Sequence, residues 1–138
     1  MRSFLPKSIL LGLIALLASC SNQQPAEQSV LVTAANETAA ITRLRAIAAA
    51  EARYQVESGG GYGTLDQLIQ KRYVNDPSSG KLTGYRFDIQ VKGETFQVTA
   101  APEKYGITGK RSFFVDATNV VHAADKKGAP ATASDPEA

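Results

Sequence analysis

A chain of 138 residues, 43% hydrophobic and 20% charged, has room for one domain. Its 15 basic and 13 acidic side chains leave a formal net charge of +2, too near balance for the basic footprint that nucleic acid requires of a partner. The single cysteine excludes a disulfide framework within the chain, so the folded part must hold by packing.

The first predicted element is an export signal. Arg2 and Lys7 give a basic start, and Ile9 to Ala18, ILLGLIALLA, gives an apolar run shorter than the about 20 residues that span a bilayer. The run ends in Leu17-Ala18-Ser19-Cys20, which resembles the bacterial lipobox. That resemblance implies removal of residues 1–19 and acylation of Cys20, with the acyl chains supplying the membrane contact. The competing reading makes Cys20 a small buried residue at the end of a transmembrane helix. Arg2 and Lys7 account for two of the 15 basic residues, and the 13 that remain balance the 13 acidic ones. Ser21, where an aspartate would be a retention signal, resembles the pattern sorted to the outer membrane in enteric bacteria. It implies a lipid anchor in the cell envelope, with the protein facing the periplasm.

Residues 20–35 read as a lipidated tether, polar at first and carrying Pro25, although Val30-Leu31-Val32 is apolar enough to pack or to start a helix early. A folded domain is predicted over residues 36–122. Its first element is an amphipathic helix, TAAITRLRAIAAAEARYQVES from Thr38 to Ser58, with Asn36 or Thr33 as cap and Glu37 favourable in the first turn. At 100° per residue, Ile41, Leu44, Ile47, Ala48, Glu51, Tyr54 and Gln55 share one arc, and Thr42, Arg45, Arg53 and Glu57 lie outside it. The alanines favour helix, and Gly59-Gly60-Gly61 supplies a left-handed ending.

Thr64 and Gln67, three apart, form a capping-box pair that predicts a short second helix from Leu65 to about Arg72, followed by a turn at Asn75 to Gly80. The period then changes from helical to alternating. Tyr85 to Val91 places apolar residues at odd positions, and Thr95 to Ala100 places them at even ones. The two runs form a hairpin whose turn is either Gly93-Glu94 or Lys92-Gly93; both keep the apolar faces together. Ser112 to Asp116 reads as a third strand and Val120-Val121-His122 as a short return, around a turn in which Asn119 takes the left-handed position. Residues 123–138 carry no aromatic or large aliphatic side chain and are expected to be disordered.

One helix, a glycine turn, a short helix and a meander of three or four antiparallel strands make an α+β layer pair. The residues AEARYQ, GGGYGTLDQLI, Thr83-Gly84-Tyr85-Arg86-Phe87 and YGITGKRSFFVDATNVV resemble the globular heads of type IV pilin-like and type II secretion pseudopilin-like proteins. The resemblance implies a head that contacts other proteins. It does not carry over filament assembly, because a lipoprotein signal and a polar stretch stand where pilins have a cleaved leader and a long apolar helix.

No catalytic, cofactor-binding or metal-binding set can be assembled from the sequence. His122 is the only histidine, at the border of the tail, and reads as a solvated strand end. The glycine-rich stretch Gly59 to Thr64 follows a helix rather than a strand and lacks a phosphate-loop ending, so it reads as a turn. Asp76, Asp88, Asp125, Asp135 and Glu137 match no calcium-loop spacing and read as solvated surface. The five tyrosines read mainly as core or core edge. Glu51 stands apart, because it falls in the middle of the apolar arc. A carboxylate there must be paired or hydrogen-bonded, and it is expected to be a structural tie. The expectation overall is a non-enzymatic envelope lipoprotein with a protein-contacting head, accessory to a type II secretion or type IV pilus-like system. The alternative is a small periplasmic ligand-binding or enzymatic domain using a pocket between helix and sheet.

Overall fold

The computed structural model describes residues 25–76 and 84–138. The expected signal, Cys20 and most of the turn from Asn75 to Gly80 lie outside the described residues. Two helices, α1 (Pro25–Ser58) and α2 (Leu65–Gln70), precede four strands, β1 (Tyr85–Lys92), β2 (Thr95–Pro102), β3 (Ser112–Asp116) and β4 (His122–Ala124). The strands form one antiparallel sheet in the order β1-β2-β3-β4, and α1 lies across one face of it. The fold is α+β, with a long and a short helix packed on a four-stranded antiparallel sheet.

The hairpin takes the Gly93-Glu94 turn. Lys92 pairs with Thr95, Val91 with Phe96 and Ile89 with Val98. Gly93 has φ of 60°, as a two-residue turn with glycine at its first central position demands. Further pairs, Val98 with Val115 and Ala100 with Phe113, extend the same face across β3. Tyr85, Phe96, Val98, Ala100, Phe113 and Val115 are buried in one cluster with Ala40, Leu44, Ile47, Ala48 and Leu68. The helix contributes small alanines at the contact, which lets its backbone approach the sheet closely. Asn119 adopts the left-handed conformation, with φ of 61°.

The helix ends as the glycines require. Gly59, Gly60 and Gly61 all have positive φ, and the Gly60 N–H donates to the Gln55 carbonyl at 2.9 Å, closing the last turn. The capping box of α2 is complete, with the Thr64 N–H donating to Gln67 Oε1 at 2.8 Å and the Gln67 N–H to Thr64 Oγ1 at 3.3 Å.

The return strand lies at His122–Ala124 rather than Val120–His122, and two boundaries differ more widely from the sequence reading. The stretch expected to be a tether through residue 35 is helical from Pro25 onward, so α1 is one element of 34 residues. Pro25 stands at its first position, where the missing N–H costs nothing, and good helix formers follow. The tail expected to be disordered from residue 123 is folded against the domain. The Ala123 N–H donates to the Pro136 carbonyl at 2.8 Å and the Ala138 N–H to the Val121 carbonyl at 2.9 Å, so the last residues run along the outer edge of β4. Lys126 pairs with Asp135 at 2.7 Å, and Ala131 is buried. These are mostly backbone and ionic ties, which an apolar-composition argument does not register.

Gly84 and Gly93 share nearly the same φ, 58° and 60°, but not the same surroundings. A Cβ on Gly84 would lie 2.6 Å from the Thr108 Cβ, whereas one on Gly93 would meet nothing within 4 Å. Gly93→Ala is expected to cost about 1 kcal/mol from backbone conformation alone, and Gly84→Ala at least about twice that, from conformation plus overlap. Urea unfolding of the two variants measures the difference, and equal losses would contradict the packing described.

Candidate functional site: the projecting end of the long helix

A helix of 34 residues is roughly 51 Å long, whereas an eight-residue strand covers roughly 26 Å. The sheet therefore covers only part of α1. Burial along the helix runs from Glu37 through Ala40, Leu44, Ile47 and Ala48 to Glu51. Before Glu37 the apolar side chains face water: Val30, Leu31 and Val32 are 65%, 70% and 51% exposed. Beside them stands the β2–β3 connection, residues 103–111, whose Ile107 is 65% exposed. A groove of about 310 Å³ between the two is lined by Ser29, Val30, Thr33, Ala34, Gly106 and Lys110, with Glu37 at its inner end.

The connection is held on the helix by side chains that the sequence reading assigned to capping. Glu37 Oε1 accepts the backbone N–H groups of Lys110 and Arg111, each at 3.1 Å, and its Oε2 accepts Arg111 Nε at 2.9 Å. Asn36 Nδ2 donates to the Thr108 carbonyl at 2.9 Å. Behind them, the Tyr85 hydroxyl donates to the Arg111 carbonyl at 2.7 Å, and a Cβ on Gly109 would collide with that hydroxyl. Burial raises the pKa of the Tyr85 phenol well above its ordinary value, and the charge of Glu37 adds to the effect. The turn itself closes through the Gly106 N–H to the Gly109 carbonyl at 2.8 Å and the Lys104 N–H to Thr108 Oγ1 at 3.0 Å. The apolar end is thus presented by a tied loop. Asn36 and Glu37 are the residues that sequence reasoning missed. Their partners lie more than 70 positions away and are mostly backbone groups, which leave no pattern in a sequence.

Glu51 lies at the other end of the buried stripe and is fully buried. Its Oε2 accepts the Gly63 N–H at 2.8 Å, joining α1 to the loop that leads into α2, and its Oε1 has no hydrogen-bond partner among the described residues. The Tyr54 ring lies over Gly63, 3.0 Å from where a Cβ would be, so only glycine lets that N–H come so close. Among the described residues no second carboxylate or base hydrogen-bonds Glu51. Tyr62, beside this loop, packs on Phe96 with ring centroids 4.8 Å apart.

Of the remaining candidates, His122 sits apart from both places and Tyr105 lies within the β2–β3 connection. His122 lies in β4, where its Nδ1–H donates to the Asp135 carbonyl at 2.6 Å. Tyr105, counted with the core by sequence, is 42% exposed, and its hydroxyl donates to Asp125 at 3.0 Å. A second groove of about 480 Å³ runs between α1 and residues 73–75, lined in part by Ala39, Thr42, Arg43, Ile47 and Tyr73. It lies beside the helix rather than between helix and sheet, where the ligand-binding alternative expected a pocket. Among the described residues no three His, Cys, Asp or Glu side chains group as a metal site, and no helix is long and apolar enough to cross a membrane. No protein-family model, no curated protein and no solved structure matches the chain.

The two buried carboxylates should respond to pH with opposite signs. For Glu51, burial outweighs the Gly63 hydrogen bond and pushes the carboxyl above its ordinary 4.5. Its folded form holds the proton more tightly than the unfolded chain, so its stabilising share is complete below 4.5 and declines as pH rises through the raised value. For Glu37, burial works upward but the N–H groups of Arg111 and Lys110 and the guanidinium outweigh it, holding the carboxyl below 4.5. Its share is present above 4.5 and is lost as pH falls through the lowered value. Stability against pH, measured by urea unfolding, should lose the neutral-side decline in Glu51→Gln and the acid-side loss in Glu37→Gln. Glu51→Ala, which strands the Gly63 N–H, should cost about 2 kcal/mol. Equal stability of wild type, Glu51→Gln and Glu51→Ala would contradict a structural tie.

Proposed function

We propose that this chain is a non-enzymatic envelope lipoprotein whose head, of the type IV pilin-like or pseudopilin-like kind, makes protein contacts as an accessory to a type II secretion or type IV pilus-like system. The observation that carries the reading is the projecting end of α1. Val30, Leu31 and Val32 stand exposed on the early turns, and Val30 lines the groove beside the loop that carries exposed Ile107 and is fixed by Glu37 and Asn36. An exposed apolar cluster on a tied surface is the mark of an interaction site, since a solvated surface has no use for it.

The position of that end within the chain supports an anchored protein. Only ten residues separate Cys20 from Leu31, so an acylated Cys20 keeps the apolar end close to the membrane that holds it. The pilin-like kinship rests on the residues Ala50 to Gln55, Gly59 to Ile69 and Tyr105 to Val121, together with the arrangement of one long helix over an antiparallel meander. In this chain the early helix is the proposed contact element, and the sheet supports it.

Metabolic labelling with a clickable fatty acid in a bacterial host tests the anchor. Wild type should incorporate the label and fractionate with membranes, and Cys20→Ser should do neither. An acylated, membrane-bound Cys20→Ser would overturn the anchor. A photo-crosslinking residue at Leu31 or Ile107 of the anchored protein should give a discrete adduct with another envelope protein that the same residue at exposed Thr118 does not. Identical products from all three positions would overturn the contact surface.

A further inference from the structure

The two edges of the sheet are treated differently. Along β4 the chain's own last residues supply hydrogen bonds to Ala123 and Val121. Along β1 the order of the sheet ends, so among the described residues no strand pairs with its outer side. Edge strands are normally blunted by proline, a bulge or central lysine. β1 has eight residues in continuous register with β2, no proline and no bulge, and its one lysine, Lys92, is at its end.

Hydrogen-bond parity says which backbone groups face outward. In a two-residue hairpin the closing pair, Lys92 with Thr95, exchanges hydrogen bonds, and the alternation continues along the ladder. The bond from the Glu103 N–H to the Gly84 carbonyl at 2.9 Å carries the same parity to the far end. Even-numbered residues of β1 therefore bond to β2, and the N–H and carbonyl groups of Phe87, Ile89 and Val91 point to the open edge. The side chains of these three residues are only half-buried, whereas Arg86, Asp88 and Gln90 on the opposite face are exposed.

We propose that this edge pairs with the same edge of a second copy of the chain, antiparallel and centred on Phe87. The charge sequence of the strand leaves two registers with opposite charges facing, this one and a centre on Gln90 that sets Asp88 against Lys92, and only this one also brings the two Phe87 rings together. Centred on Phe87, Arg86 of each copy lies opposite Asp88 of the other, twice by symmetry. A centre on Asp88 sets two aspartates against each other, and a centre on Ile89 sets Arg86 against Lys92. Parity agrees, because Phe87 with Phe87 is then a hydrogen-bonded pair. Arg86 with Asp88 falls on the intervening pair, where opposite side chains come closest. Asp88 Oδ2 accepts Gln90 Nε2 at 2.8 Å, which leaves Oδ1 to take the arginine of the second copy. The half-buried Phe87 rings meet at the axis, an aromatic cross-strand contact that covers the apolar margin of the sheet. The two sheets become one of eight strands, and the pairing depends on neither the lipid anchor nor the projecting end of α1.

Sedimentation velocity of the full chain, expressed in a bacterial host and extracted in excess mild detergent, tests the proposal. Wild type should dimerise, more weakly as salt is raised. Arg86→Asp and Asp88→Arg should each weaken the dimer by about tenfold or more. The double variant Arg86→Asp with Asp88→Arg should recover it. Both positions are exposed, so circular dichroism should show all variants folded as wild type. In the wild-type dimer the Phe87 and Ile89 amides should exchange more slowly than in either single variant. A wild-type chain that stays monomeric, a dimer that neither single substitution weakens, a swap that fails to restore it, or unprotected Phe87 and Ile89 amides would each overturn the pairing.

Discussion

The structure depends on a mismatch of length. α1 is about twice as long as the sheet it crosses, so its buried stripe runs only from Glu37 to Glu51 and its first turns have no sheet beneath them. Within the stripe the arrangement follows from pattern. Leu44, Ile47 and Ala48 meet the apolar face that Val98, Ala100, Phe113 and Val115 present through the strand register. Beyond it, Val30, Leu31 and Val32 are left in water, with Val30 lining the groove beside the connection that carries Ile107.

Two carboxylates mark the limits of the stripe and hold the connections that the sheet cannot hold. Glu37 collects two backbone N–H groups and a guanidinium from residues 110 and 111, which keeps it ionised. Glu51 receives, among the described residues, the Gly63 N–H alone, inside the core, and burial favours its protonated form. The same side chain thus does two electrically different jobs on one helix, and the number of donors facing it decides which. Glu37 fixes the loop that presents Ile107. Glu51 fixes the approach to α2, so the helix is tied at both ends of its packed segment.

Much of this was readable from local pattern. The alternation of Tyr85 to Val91 against Thr95 to Ala100 defines the hairpin, the Thr64 and Gln67 pair defines the start of α2, and the glycines define the end of α1. Glu51 was recognisable because it interrupts an apolar arc, although Gly63 as its partner was not. What escaped had its cause in backbone chemistry. Residues 135–138 are held by carbonyl and N–H groups that every residue type carries, so a tail without large apolar side chains still folds back on β4. Pro25 looked like a linker residue, yet it begins α1, where its fixed φ suits the first turn. Asn36 and Glu37 suited a helix start equally well, and only the path of the β2–β3 connection turns them into anchors.

The later part of α1 is core, and the proposal most directly open to test is that its early, exposed part meets a partner in the envelope. Hydrogen–deuterium exchange of the full chain, in native membranes and after isolation in detergent, reads both parts at once. Amides of residues 40–51 should be slow in both preparations, and those of residues 27–34 slow in membranes but fast after isolation. Residues 27–34 that exchange at one rate in both preparations would contradict the account.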